Sequence, residues 1–130
     1  MAKEIIIPYR PFISDQKNRP YIDIQIENVG IVVCLLDSGS DYSTFPLYIA
    51  HQAKLKLGDA VQESSECAHG DICTSYRINM KITFDEEEMT IPVNFIEKGS
   101  EPALIGRIGF FDKFMITFNE RKQEIKLKKI

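Results

Sequence analysis

Apolar and polar residues exchange places with a period of two along most of this chain. Tyr21-Ile22-Asp23-Ile24-Gln25-Ile26-Glu27 alternates strictly, which predicts a half-buried β-strand. Asn28-Val29-Gly30 supplies the turn, and Ile31 to Leu36 returns as the second strand of a hairpin. Val61 to Phe84 predicts a longer hairpin with its tip near His69-Gly70-Asp71. In its second arm Tyr76, Ile78, Met80, Ile82 and Phe84 alternate with Arg77, Asn79, Lys81 and Thr83. The acidic run Asp85-Glu86-Glu87-Glu88 is a solvated turn, and Met89 to Ile96 is the returning strand, with Pro92 marking an edge or a bulge. Met115-Ile116-Thr117-Phe118 and Glu124-Ile125-Lys126-Leu127-Lys128 form a last hairpin, whose lysines suit an exposed sheet edge.

Helical spacing is confined to two places. Pro46 opens a predicted helix that runs to about Leu57, with Ile49, Ala53 and Leu57 on one face and Gly58 as terminator. Phe110, Phe111 and Phe114 predict a short helix docked on the sheet. Residues 1–20 carry Pro8, Pro11 and Pro20 and read as an irregular arm or strand-loop. Together these elements predict one mostly β domain over residues 1–130.

One stretch breaks the alternation. Val32-Val33-Cys34-Leu35-Leu36 is continuously apolar, as in a strand buried on both faces, and it runs straight into Asp37-Ser38-Gly39-Ser40. A carboxylate after such a run is costly unless it is paired, hydrogen-bonded or used. Ser38 and Gly39 are small enough for a tight turn and close backbone approach. A second apolar run, Ala103-Leu104-Ile105, also ends in glycine, at Gly106, which hints at an internal pseudo-repeat.

Composition narrows the chemistry. A chain of 130 residues, 44% hydrophobic and 27% charged, is long enough to bury a core. The formal net charge of -3 argues against nucleic acid as a partner, and no apolar run is long enough to span a bilayer. The N-terminus, with Glu4 early and a very short apolar run, does not read as a secretory signal. Three cysteines without such a signal favour free thiols and a cytoplasmic location. Cys67 and Cys73 bracket a hairpin tip, where a disulfide is conceivable. Metal binding by Cys67, His69 and Cys73 fits no zinc-ligand spacing. His51 lies on the predicted helix, away from any cysteine nucleophile arrangement. No Gly-rich phosphate loop is present, and no cofactor is implied.

Two separated motifs carry a resemblance. Leu35-Leu36-Asp37-Ser38-Gly39-Ser40-Asp41 resembles the apolar-apolar-Asp-Ser/Thr-Gly-Ala/Ser signature of aspartic proteases. Ala103-Leu104-Ile105-Gly106-Arg107 resembles the apolar-Gly-Arg segment before the C-terminal helix of the retroviral type. The order of elements is similar over roughly residues 20 to 128, and Ile105 to Phe114 looks most like the single-domain retropepsin-like proteins of prokaryotes. Ile108 departs from the Asp or Asn usual in retroviral relatives, and only Gly70 serves the flap tip. The resemblance implies a closed β-barrel with an active-site loop, a flap hairpin tipped by His69, Gly70 and Asp71, and one or two short helices. It implies Asp37 as catalytic carboxylate and Ser38, Gly39 and Ser40 as its supporting loop. Asp41 and Arg107 would form an ion pair supporting that loop or the dimer contact.

Amide hydrolysis by carboxylates needs two of them around one water. The remaining aspartates, Asp15, Asp23, Asp41, Asp59, Asp71, Asp85 and Asp112, lack a following Ser-Gly or Thr-Gly. One chain therefore supplies half a site. The expectation is a twofold homodimer hydrolysing an extended peptide or protein substrate bound by strand addition. An inactive retropepsin-like dimerisation or peptide-binding module is the alternative, since a fold does not fix an activity.

Overall fold

A computed structural model describes residues 3–12, 15–66, 70, 72–97 and 102–130. The protein is mostly β, built around a closed six-stranded barrel. The predicted hairpin is present as β4 (Tyr21–Ile26) and β5 (Gly30–Leu36), in register from Tyr21–Leu35 to Ile26–Gly30. Asn28 and Gly30 take the positive φ values, +69° and +101°, that a tight turn demands. After β5 come β6 (Ser43–Pro46), α1 (Leu47–Gln52), β7 (Val61–Glu66), β8 (Ile72–Phe84), β9 (Glu87–Ile96) and β10 (Ala103–Ile105). The sheet runs β4-β5-β10-β6-β9-β8, and a β4–β8 pairing at Gln25–Thr83 closes it; β7 extends from β8 as the outer arm of a hairpin. The alternating apolar residues point inward. Ile22, Ile24, Cys34, Phe45, Ile82, Ile91, Val93, Phe95 and Ile105 are all essentially inaccessible.

The first twenty residues are more regular than their composition suggests. β1 (Glu4–Pro8) pairs antiparallel with β12 (Glu124–Lys129), and β2 (Arg10–Phe12) pairs with β3 (Asp15–Arg19) as a separate ribbon. The prolines stand at the ends of strands or in the ribbon, where a missing N–H is tolerated. β12 is the centre, not the edge, of a sheet ordered β1-β12-β11, with β11 at Phe114–Asn119. Lys126 and Lys128 are exposed on its outer face, while Ile125 and Leu127 are buried.

Both predicted helices are shorter than expected. Pro46 closes β6, and α1 stops at Gln52 because Lys54 takes a left-handed φ of +60°. Lys54 N–H donates to His51 O and Leu55 N–H to Ala50 O, a Schellman ending with lysine where glycine is usual. Gly58 lies inside a separate helical turn, Leu57–Asp59, and terminates nothing. The aromatic segment forms a kinked turn over Arg107–Phe111, broken at Gly109 (φ +89°), and Phe114 already belongs to β11. A Cβ at Gly109 would lie 2.8 Å from Ile91 Cγ2, so close packing also excludes a side chain there. Phe84, Phe110 and Phe114 meet with centroids 5.1–5.6 Å apart and dock this turn on the barrel. Pro92 faces Asn79 one residue before β9 begins to pair with β6 at Val93, where a missing N–H falls at the end of a ladder.

Candidate active site

The site is built on a gap. β5 and β6 are joined by residues 37–42, yet they are not neighbours, because β10 lies between them. β10 runs parallel to β5, pairing Ala103 with Cys34 and Ile105 with Leu36, and antiparallel to β6 at Leu104–Thr44. The two apolar runs noted in the sequence are thus adjacent parallel strands. The connecting loop must arch over the end of β10, which lifts Asp37 to Asp41 off the barrel rim.

Backbone hydrogen bonds hold the arch at several points. Asp37 N–H donates to Ile105 O at 2.9 Å, Ser40 N–H to Asp37 O at 3.2 Å, Arg107 N–H to Ser40 O at 2.9 Å and Ile108 N–H to Asp41 O at 2.8 Å. The Ser40 hydroxyl donates to Tyr42 O at 2.7 Å. Ser43, buried on β6, accepts Gly106 N–H on its Oγ at 3.0 Å. Gly106 is needed because its neighbour is backbone: a Cβ there would sit 2.9 Å from Ser40 O and closer still to the Tyr42 carbonyl.

The Asp37 carboxylate is half-buried, and its Oδ1 accepts the Gly39 N–H at 3.0 Å. That bond engages one of the two carboxylate oxygens and orients the group. Ser38 and Gly39 are exposed above it. Gly39 has no left-handed φ, and a Cβ there would meet Asp37 Oδ1 at an ordinary 3.4 Å. The turn itself therefore does not demand glycine at 39; what glycine leaves is a bare surface beside the carboxylate. Arg107 Nη2 lies 2.5 Å from Asp41 Oδ1, joining the two motifs across 66 residues of sequence. Both side chains are more than half exposed, so this pair contributes little to stability by itself.

The β7–β8 hairpin pairs from Val61–Arg77 to Glu66–Ile72 and projects beyond the ladder that β8 makes with β9. Gly70 has a φ of +79°; His69 and Asp71 lie outside the described residues, as does Cys67. Cys73 is buried and disulfide-bonded, which corrects the expectation of free thiols and removes Cys73 as a thiolate ligand for a metal. Cys34 is a free, buried thiol, and burial first, then Asp23, pushes its pKa far up, which suits a core residue and not a nucleophile. His51 lies on α1, as the sequence suggests.

Three residues near the site were not singled out from the sequence. Ser43 is the buried polar residue among the described core, and Tyr42 and Arg77 stack, with the guanidinium 4.5 Å from the ring centroid. Arg77 also pairs with Glu63 at 3.1 Å. Their spacing of 35 residues carries no local signal; the contact exists only because the barrel closes.

No protein-family model matches this chain, and no curated protein matches it. Solved structures do. A retropepsin-like aspartic protease from Rickettsia conorii superposes with a TM-score of 0.71 at 16% identity, over 96% of this chain and 98% of that one. EIAV protease, in complex with the inhibitor HBY-793, gives a TM-score of 0.53 at 18% identity, over 70% of this chain and 84% of that one. The fold of this chain is retropepsin-like. Among the described residues, no helix is long and apolar enough to cross a membrane.

Proposed function

We propose that this chain is one half of a homodimeric aspartic endopeptidase, with the Asp37 carboxylates of two protomers meeting around one water. The observation that supports this most is a single half-buried carboxylate, oriented by Gly39 N–H at the end of β5, on a retropepsin-like fold. A lone carboxylate in that position can polarise a water but cannot also protonate the leaving nitrogen. Two related by a twofold axis can divide the work. One, ionised, takes a proton from water; the other, protonated, polarises the carbonyl and then protonates the departing nitrogen. Such a pair titrates as a unit, because two close carboxylates resist sharing two negative charges.

In this reading Ser38 makes hydrogen bonds across the axis, and Gly39 leaves the substrate backbone room to approach. The Asp41–Arg107 pair braces the loop beside the dimer contact. The β7–β8 hairpin, with His69, Gly70 and Asp71 at its tip, closes over an extended peptide and excludes water. The substrate is an extended segment of peptide or protein, added as a strand, and the enzyme works without metal or other cofactor.

The test is a mixed peptide library incubated at acidic and neutral pH, with light scattering on the same samples. Cleavage by a dimer that Asp37→Asn abolishes, while leaving the dimer intact, is the expected result. A folded dimer that cuts nothing at any pH would make the chain a peptide-binding module instead. A strict monomer at working concentration would remove the shared-site mechanism altogether.

A further inference from the structure

The loop that carries Asp37 is gripped from above as well as from below. Cross-strand registers place Leu104, Thr44, Asn94, Arg77 and Val61 in one row across β10, β6, β9, β8 and β7. Arg77 thus stands at the root of the β7–β8 hairpin, and from there its guanidinium reaches the Tyr42 ring at 4.5 Å while pairing with Glu63 of the opposite arm at 3.1 Å. Only a quarter of the Arg77 side chain is exposed, whereas its partner Glu63 is about half exposed. Tyr42 is held through its backbone. Its carbonyl accepts the Ser40 hydroxyl at 2.7 Å, and Gly106 packs against the same carbonyl too closely to admit a side chain.

We propose that Arg77 is a positioning residue, clamping the root of the β7–β8 hairpin to the catalytic loop through the Tyr42 ring and so fixing the angle from which the hairpin closes over a bound peptide. The proposal rests on the peptidase reading for its kinetic consequence but not for its structural one. Glu63 engages one guanidinium nitrogen and the Tyr42 ring lies against the guanidinium carbon, so the planar, delocalised cation makes both contacts at once. If the clamp is released, the hairpin samples more angles, and a peptide must select the productive one. Binding weakens, and the chemistry at Asp37, whose own hydrogen bonds are untouched, does not.

The experiment compares Arg77→Met, Arg77→Lys, Tyr42→Leu, Tyr42→Phe and the Arg77→Met/Tyr42→Leu pair in the full chain. Amide hydrogen exchange is read over 61–66 and 72–77, and peptide hydrolysis is resolved into KM and kcat. Arg77→Met and Tyr42→Leu should each raise exchange in the hairpin and raise KM roughly threefold to tenfold, with kcat within about twofold. Tyr42→Phe, which keeps the ring, should match wild type, and Arg77→Lys should recover part of the loss. The double variant should be no worse than either single one. Additive effects, or equal behaviour of Tyr42→Leu and Tyr42→Phe, would overturn the clamp. If wild type cleaves nothing, the exchange data still decide the clamp while the peptidase reading fails separately.

Discussion

Gly106→Ala tests the architecture of the arch most directly. Gly106 has φ -92° and ψ -173°, extended backbone that alanine adopts without strain, so the effect is steric alone. The added Cβ would lie 2.9 Å from Ser40 O, where ordinary contact begins near 3.4 Å, and deeper still against the Tyr42 carbonyl. All of these atoms are backbone, and none can swing aside as a side-chain tip would. Relief requires β10 and the loop to part by roughly half an ångström or more. Forcing a methyl into such a space costs about 1–3 kcal/mol. The same displacement strains the buried bond from Gly106 N–H to Ser43 Oγ, and an orphaned buried group adds about 1–3 kcal/mol. A loss of about 2–6 kcal/mol follows. For a chain of this length that corresponds to a fall in Tm on the order of 10 °C or more. Urea unfolding measures it as a lower midpoint at constant m. Gly58→Ala is the control, because a Cβ there has nothing within 4 Å. Should Gly106→Ala and Gly58→Ala unfold at the same midpoint as wild type, the close approach of β10 to the loop is not what organises the site.

Two further outcomes concern titratable groups in the core. Burial first, and then Glu120, raises the pKa of Tyr9 above its usual 10.0. The fold therefore favours the neutral phenol; this contribution is complete below the unfolded pKa and is lost as pH rises through the folded value. Urea midpoints should fall between pH 9 and pH 12, less steeply in Tyr9→Phe, and identical slopes would refute the assignment. Cys34, buried and with its pKa pushed up, should resist iodoacetamide in the native protein at pH 8.5 and react once urea is added. Native labelling at the unfolded rate would place it outside the core.

Much of the barrel could be read locally. Tyr21 to Ile26 and Tyr76 to Phe84 alternate, and Asn28 and Gly30 announce their own turn, so β4, β5 and β8 needed no tertiary information. Asp37 was legible for a related reason: a charge after five apolar residues is anomalous in one dimension. What was not legible depends on distant partners or on single backbone angles. β1 is a short run of isoleucines beside prolines, and it becomes a strand only because β12, some 120 residues later, offers a ladder. Lysines read as edge protection belong to a central strand, since the strand that covers them is that same β1. Helix α1 stops at Gln52 because Lys54, a residue with no intrinsic preference for a left-handed φ, adopts one where a Schellman pair of hydrogen bonds outweighs the strain. Phenylalanine spacing suggested an unbroken helix, but Gly109 packs on Ile91 in a conformation that helices exclude. The Arg107–Asp41 pair came from resemblance, and the Tyr42–Arg77 stack from nothing in the sequence at all.

The strand threaded between β5 and β6 also sets a schedule. Every bond that shapes the arch from below, including Asp37 N–H to Ile105 O and Gly106 N–H to Ser43 Oγ, spans more than sixty residues of chain. During synthesis, Asp37 leaves the ribosome long before Ile105 does, and until then its loop has no floor. Contacts of such separation form late, because the closure entropy of a long loop must be met first. A nascent chain, or one truncated before Ile105, therefore carries Asp37 in a segment that lacks these bonds. The loop takes its shape only after residues 105–108 have been made, so the order of synthesis separates the appearance of Asp37 from the assembly of its surroundings.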